Sequence, residues 1–401
     1  MMRKLLLATL LLLLHGPASA DTVLKIGVLN DRSGPFADLT GEGSVVAARL
    51  AVEDFGGGKG LSVEIVAADH QNRPDVGASI ARAWYDQGGV DVIVDVPTSS
   101  VALAVNQLSY EKNKVFLASG PGTADLTGPR CTPNTIHWTF DTVALANGTA
   151  RALVERGSKT WYFITADYAF GHAMERDASE VVRKSGGSVL GSVRTPFPSN
   201  DFSSFLLAAK ESRSNVVGLA NAGSDTINSI KQANEFGLPQ GGQVLAGLLI
   251  TLSDVRALGL RAASGLIFTE AFYWNLNAGT RAWSARYASR MEGKMPGMGQ
   301  AGVYSAVVHY LKTVSGMPEP DRRDGRKVVE AMKALPTDDP LLGGGSVRPD
   351  GRKLHAMYLF ETKKPDQSNS EWDLYNLLAT IPAEQAFRPM SDGGCPLVQI
   401  R

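Results

Sequence analysis

From Leu24 onward, short β-branched runs alternate with longer amphipathic stretches, which restricts the chain to parallel strands joined by helical crossovers. The strands expected are Leu24–Asn30, Leu61–Asp69, Val90–Val96, Val115–Ser119, Trp161–Ala166, Val189–Thr195, Val216–Ala220, Val244–Leu249 and Leu266–Ala271. Between them, Ser44–Phe55, Pro74–Gln87, Ser100–Lys112, Ala144–Arg156, Gly171–Lys184, Phe202–Ser212 and Thr226–Phe236 carry apolar residues at helical spacing. Two doubly wound, Rossmann-like units therefore follow one another, with a break near Cys131–Thr142, where Pro129, Pro133 and Asn134 interrupt the pattern. The helices Arg281–Met291, Gly302–Val314 and Arg326–Leu335 come without intervening strands. Gly343–Gly345 and Pro349–Gly351 then lead into a last strand, Leu354–Phe360. The chain is expected to cross between lobes again near Phe268–Ala271 and Gly345–Pro349, making a multi-segment hinge with a ligand cleft between the lobes. Lobe 1 would comprise 21–141 plus 271–346, and lobe 2 would comprise 142–270 plus 347–401. A chain of about 380 residues beyond the leader suits two cores better than one.

The leader itself reads as an export signal. Arg3 and Lys4 precede the apolar run Leu5–Leu14, followed by Pro17 and Ala18-Ser19-Ala20. The run is short of the roughly 20 residues a spanning helix needs. Residues 1–20 are thus expected to be a signal peptide cleaved after Ala20, placing the protein in the periplasm; an uncleaved anchor is the alternative. No cysteine lies near Ala20 to carry a lipid. Without Arg3 and Lys4 the chain has two more acidic than basic groups and no basic block, so nucleic acid is not an expected partner. The only cysteines, Cys131 and Cys395, would share an oxidising compartment and are expected to form a disulfide. Two unpaired buried thiols are the alternative.

Enzymatic constellations are missing. There is no H-E-x-x-H, no G-x-S-x-G and no Walker loop; Gly56-Gly57-Gly58-Lys59-Gly60 lacks both the spacing and the following Ser or Thr. His15, His70, His137, His172, His309 and His355 are scattered singly, so neither a metal site nor a cofactor is expected.

Several segments carry a family likeness by their order. Ile26-Gly27-Val28 is followed by Ser33-Gly34-Pro35, Gly89-Val90-Asp91-Val92-Ile93 leads into Thr98-Ser99-Ser100, and Ala118-Ser119-Gly120-Pro121-Gly122-Thr123 comes next. In this the chain resembles the branched-chain amino-acid type of periplasmic solute-binding protein, the receptor of an ABC importer, over nearly its whole length beyond the leader. Asp167–Gly171, Ala220–Gly223, Phe272-Tyr273-Trp274 and Gly394-Cys395-Pro396 resemble the branch that takes aromatic carboxylic acids. The resemblance implies a type I periplasmic-binding-protein fold. It also implies a monomeric, non-enzymatic receptor that closes over a small carboxylate and docks on an ABC permease. The alternatives are a branched-chain amino acid, an amide or a short aliphatic acid as the ligand, or a role as a periplasmic sensor subunit of a membrane kinase.

Residue by residue, Thr98, Ser99 and Ser100 sit where a strand ends and a helix begins, so hydroxyls and free N–H groups converge on a point suited to a carboxylate. An ordinary N-cap is the other reading. Gly120, Pro121, Gly122 and Thr123 form the neighbouring turn. The resemblance places Tyr168, Phe170 and the turn Asn221-Ala222-Gly223 on the opposite lobe, with Tyr273 near a crossing strand, where rings would stack on a planar ligand. For Phe170 and Trp274, plain packing competes with ligand contact. Arg32 is a further candidate to pair a carboxylate, unless it is merely solvated. Leu248 and Leu249 stand where the amino-acid binders hold an ammonium with a carboxylate, which favours an aromatic or aliphatic acid. Asp225 is expected to cap the helix beginning at Thr226; pointing inward, it would weaken that preference.

Overall fold

The computed structural model describes residues 22–56 and 61–398. The leader over 1–20 and the Gly57–Gly60 stretch lie outside them. In chain order the first unit is β1 (Thr22–Asn30), α1 (Gly41–Phe55), β2 (Leu61–Asp69), α2 (Pro74–Asp86), β3 (Val92–Asp95), α3 (Ser99–Glu111), β4 (Val115–Ala118) and β5 (Thr135–His137). The second is α4 (Thr142–Glu155), β6 (Thr160–Ala166), α5 (Ala169–Lys184), β7 (Ser188–Thr195), α6 (Ser203–Glu211), β8 (Val216–Ala220), α7 (Ser224–Glu235) and β9 (Val244–Gly247).

Each unit forms a parallel sheet, ordered β2-β1-β3-β4-β5 in the first and β7-β6-β8-β9 in the second. The central strands are apolar on both faces because helices cover both. Leu24, Ile26, Val28 and Leu29 of β1 are all fully buried, as are Val92, Ile93 and Val94 of β3. In both sheets the first strand lies between the second and third, so strand order reverses between β1 and β3 and again between β6 and β8. A doubly wound sheet opens a crevice at that point, beyond the carboxyl ends of its strands. Two such crevices face each other here.

The remaining elements are α8 (Leu252–Leu258), α9 (Leu260–Ala263), β10 (Ile267–Glu270), α10 (Ala278–Ala288), α11 (Met298–Ser315), α12 (Gly325–Ala334), β11 (Ser346–Val347), β12 (Lys353–Leu354), β13 (Met357–Thr362), β14 (Tyr375–Ile381) and α13 (Ala383–Ala386). The strands expected at Leu266–Ala271 and Leu354–Phe360 find each other as an antiparallel pair, and β14 completes that three-stranded sheet. The two-residue pair β11–β12 reaches the first sheet through a bridge between His137 and Arg352.

The segments Thr139–Asp141 and Arg352–His355 are pinned side by side. Buried Arg352 donates to the Phe140 carbonyl at 3.1 Å and lies 3.5 Å from the Asp141 carboxylate, whose other oxygen caps α4 at the Ala144 N–H. His355 Nε2 is 2.6 Å from the Thr139 carbonyl oxygen. Cys131 and Cys395 are disulfide-bonded, with Cα atoms 5.6 Å apart, and tie the C-terminal segment to the first lobe.

Three sequence expectations need correction. The break at Cys131–Thr142 contains β5, whose three residues are too few to show a period beside Pro133. The strand β14 was missed because Leu377 and Leu378 of its Asn-Leu-Leu-Ala stretch are both substantially exposed, leaving no alternation to read. The strand expected to run to Leu249 ends at Gly247, and α8 follows, begun by a reciprocal cap between Thr251 and Asp254.

Candidate functional site: the cleft between the two sheets

The loops after β1 and β4 meet the loops after β7 and β8 and the start of α5. In lobe 1, β3 ends on two residues in the left-handed region, Asp95 (φ 84°) and Val96 (φ 61°). For a β-branched residue that conformation is costly and marks a backbone held in place by its surroundings. The hold comes from the neighbouring turn, where the Gly120 N–H donates to the Asp95 carbonyl at 3.1 Å. A Cβ on Gly120 would lie 2.5 Å from Asp95 Oδ1, so only glycine fits. The Asp95 carboxyl, fully buried and bonded by Asn30 Nδ2 at 3.0 Å, is pushed by burial up to about 7.

This strained turn presents Thr98, Ser99 and Ser100 at the start of α3. Thr98 does not cap the helix; its hydroxyl donates to Asn72. Ser99 Oγ accepts from the Thr123 N–H at 3.2 Å, and Thr123 Oγ1 accepts from the Asp125 N–H at 3.4 Å. Both hydroxyls thus have backbone donors on their oxygens and keep their own protons to give. The opening N–H groups of α3 precede its first intrahelical bond, from Ala102 N–H to the Thr98 carbonyl. The ensemble is rich in donors, and its helix end favours an anion. Pro121 contributes its carbonyl to His137 Nε2 at 2.7 Å, which fixes the turn.

The second lobe faces this with rings. Phe170 packs on Gly122, where a Cβ would sit 2.7 Å from the ring. Tyr168 lies 6.0 Å from Phe170 and stacks at 4.1 Å on Phe197, which stacks at 5.6 Å on Phe36 of the first lobe. The lobes touch again where the Ser224 N–H donates to the Pro35 carbonyl at 3.3 Å. Gly223, at φ 60°, lies beneath that carbonyl and the Phe36 ring.

Not every sequence candidate reaches this zone by its side chain. Asn221 is consumed within its own turn, donating to Ser229 and accepting from Thr226. The Tyr273 ring stacks on Tyr375 at 4.7 Å, and its hydroxyl bonds the Trp372 carbonyl and the Leu374 N–H. Trp274 Nε1 donates to the same carbonyl, so this pair anchors a loop. Ala222, Leu248 and Leu249 are buried in the same apolar cluster as Phe36 and Phe170. Arg32 pairs with Glu42 at 2.5 Å and lines a cavity of about 650 Å³ between the loop after β1 and α8.

Asp225 corrects the sequence reading. It is already inside α7, which Gly223 precedes, and it caps nothing there. Its side chain is fully buried, with Oδ1 taking the Ser199 N–H at 3.2 Å and Oδ2 without a partner. Burial, against that single hydrogen bond, pushes its carboxyl up to about 7. Burial first, and then the neighbouring Asp225, drive the Tyr168 phenol well above its usual range. Phe36 and Phe197 were also missed. Both follow the carboxyl end of a parallel strand, the one signal that could have flagged them.

A family model described as periplasmic binding protein matches residues 23–368. A periplasmic binding protein from Burkholderia mallei is 46% identical, with a TM-score of 0.90, over 95% of this chain and 100% of that one. A branched-chain amino-acid ABC transporter periplasmic ligand-binding protein from Burkholderia xenovorans is 39% identical, with a TM-score of 0.83, over 93% of this chain and 99% of that one. An ABC-transporter solute-binding protein from R. palustris, in complex with benzoate, shares the fold at 22% identity and a TM-score of 0.79, over 90% of this chain and 97% of that one.

Proposed function

The chain belongs to the periplasmic-binding-protein family, and from that premise we propose that it is the solute receptor of an ABC importer, capturing a small aromatic carboxylic acid between its lobes. The observation that carries this reading is the pairing of two unlike surfaces across one cleft. On one side Ser99, Thr123 and the start of α3 offer donors to a carboxylate; on the other Tyr168, Phe170 and Phe197 offer rings to a planar body. Stacking adds about 0.5–1.5 kcal/mol per aromatic pair beyond burial. That a related fold holds benzoate is consistent with such a ligand. Capture proceeds by carboxylate docking on lobe 1 and closure of lobe 2 over the ring, and the closed form is what the permease engages, without chemistry on the ligand. Residues 21–141 plus 271–346 and 142–270 plus 347–401 are the proposed lobes, exported to the periplasm after cleavage at Ala20.

A second reading, a branched-chain amino acid, draws on Asp225, whose buried carboxyl could receive an ammonium. Thermal denaturation with benzoate, hydroxybenzoates and leucine separates the two. Ligand at about 1,000 times its dissociation constant adds about 4 kcal/mol of stability. The aromatic acids are expected to raise the melting temperature and leucine to leave it unchanged; the reverse pattern replaces the aromatic acid with an amino acid.

A further inference from the structure

Asp225 is an ionisable group on the ring side of the cleft that the capture scheme leaves idle. It is fully buried, one of its oxygens is satisfied by the Ser199 N–H, and the other meets no donor. Its surroundings are the ring end of the cleft. Tyr168 is close enough for its phenol to feel the carboxylate, and Gly223, two residues earlier, touches Pro35 and Phe36 across the lobe boundary. Ser99 and Thr123 belong to the other lobe. A buried acceptor without a donor is unfavourable, so a fold that keeps one beside a binding cleft has reason to fill it with ligand.

Building on the aromatic-acid reading, we propose that Asp225 accepts a hydrogen bond from a hydroxyl on the ring of the bound acid, making the receptor selective for hydroxybenzoates over unsubstituted benzoate. The ligand is then held at two ends, by its carboxylate on lobe 1 and its hydroxyl on lobe 2, and only the closed form satisfies both. A ring without the hydroxyl leaves Oδ2 unpaired. A methoxy ring has no proton to give it. A site built around a ligand hydroxyl discriminates strongly against analogues that lack it.

The test is calorimetric titration of the full-length mature protein with benzoate, 3-hydroxybenzoate, 4-hydroxybenzoate, 4-methoxybenzoate and leucine, repeated on Asp225→Ala and Asp225→Asn. The wild type is expected to bind one hydroxybenzoate at least about tenfold more tightly than benzoate or the methoxy acid. In Asp225→Ala that ratio is expected to fall to about threefold or less, with benzoate affinity held or improved. Asp225→Asn, which keeps an acceptor oxygen, should fall between. Equal wild-type affinity for benzoate and both hydroxybenzoates overturns the role of Asp225 while leaving the aromatic receptor standing, and needs no variant to fold. A ratio that survives in Asp225→Ala overturns it too. Binding of leucine with none of the acids overturns the aromatic reading itself, and this inference with it.

Discussion

Replacing Gly223 with valine is expected to lower ligand affinity by about 100-fold or more while leaving both lobes folded. Gly223 lies at φ 60° and ψ −133°, a region open essentially to glycine, so any side chain there carries local strain of about 1–3 kcal/mol. The larger effect is across the cleft. A Cβ would overlap the Pro35 carbonyl oxygen and lie 2.9 Å from the Phe36 ring, and the adjacent Ser224–Pro35 hydrogen bond would have to part. These contacts join loops from different sheets, so opening the cleft relieves them. The substitution therefore penalises closure specifically. A ligand can shift a two-state equilibrium only by its differential affinity for the closed form, and about 3 kcal/mol set against closure appears as about 100-fold in the dissociation constant. Titration measures the affinity, and small-angle scattering with saturating ligand checks the shape. Wild-type affinity in Gly223→Val would mean that the Pro35–Gly223 contact plays no part in the bound state.

Ser99→Ala is expected to weaken binding by about 10- to 100-fold. A hydrogen bond to a charged group contributes about 1.5–3 kcal/mol, and the alanine also strips the acceptor from the Thr123 N–H, loosening the turn that carries the second hydroxyl. Asp225→Ala, on the opposite lobe, leaves this anchor intact, so the two substitutions separate carboxylate docking from recognition of the ring. The loss should be similar for every carboxylate that binds, which makes Ser99→Ala a probe of the docking point and not of ligand identity. An affinity within about twofold of wild type would remove Ser99 from the site.

The outline of the fold was open to inspection in the sequence because the central strands of both sheets are buried on both faces. Runs such as Val92–Val94 and Val216–Ala220 are apolar throughout, and the helices between them keep a clean period. Elements without that signature escaped. β5 is three residues long, β14 has an exposed middle, and α8 begins with a side-chain cap that no hydrophobic period announces. At the site, Ser99 and Thr123 could be anticipated because they stand at strand ends in a recognisable order. The partners of their oxygens could not, since those depend on how two turns meet. Asp225 was misjudged for a related reason. An acid beside a helix start usually caps it, and only the three-dimensional path shows that this one is inside the helix, facing Ser199 and Tyr168. The aromatic stack joins Phe36, Tyr168 and Phe197, 161 positions from first to last, through loops of different sheets. No local pattern links them.

A crystal structure of the protein grown with 4-hydroxybenzoate tests the central claim most directly. The predicted result is a closed molecule with the carboxylate within about 3 Å of Ser99 Oγ and Thr123 Oγ1 and the ring against Tyr168 or Phe197. A carboxylate bound instead at Arg32, or a ligand lying outside the cleft between the two sheets, would contradict it.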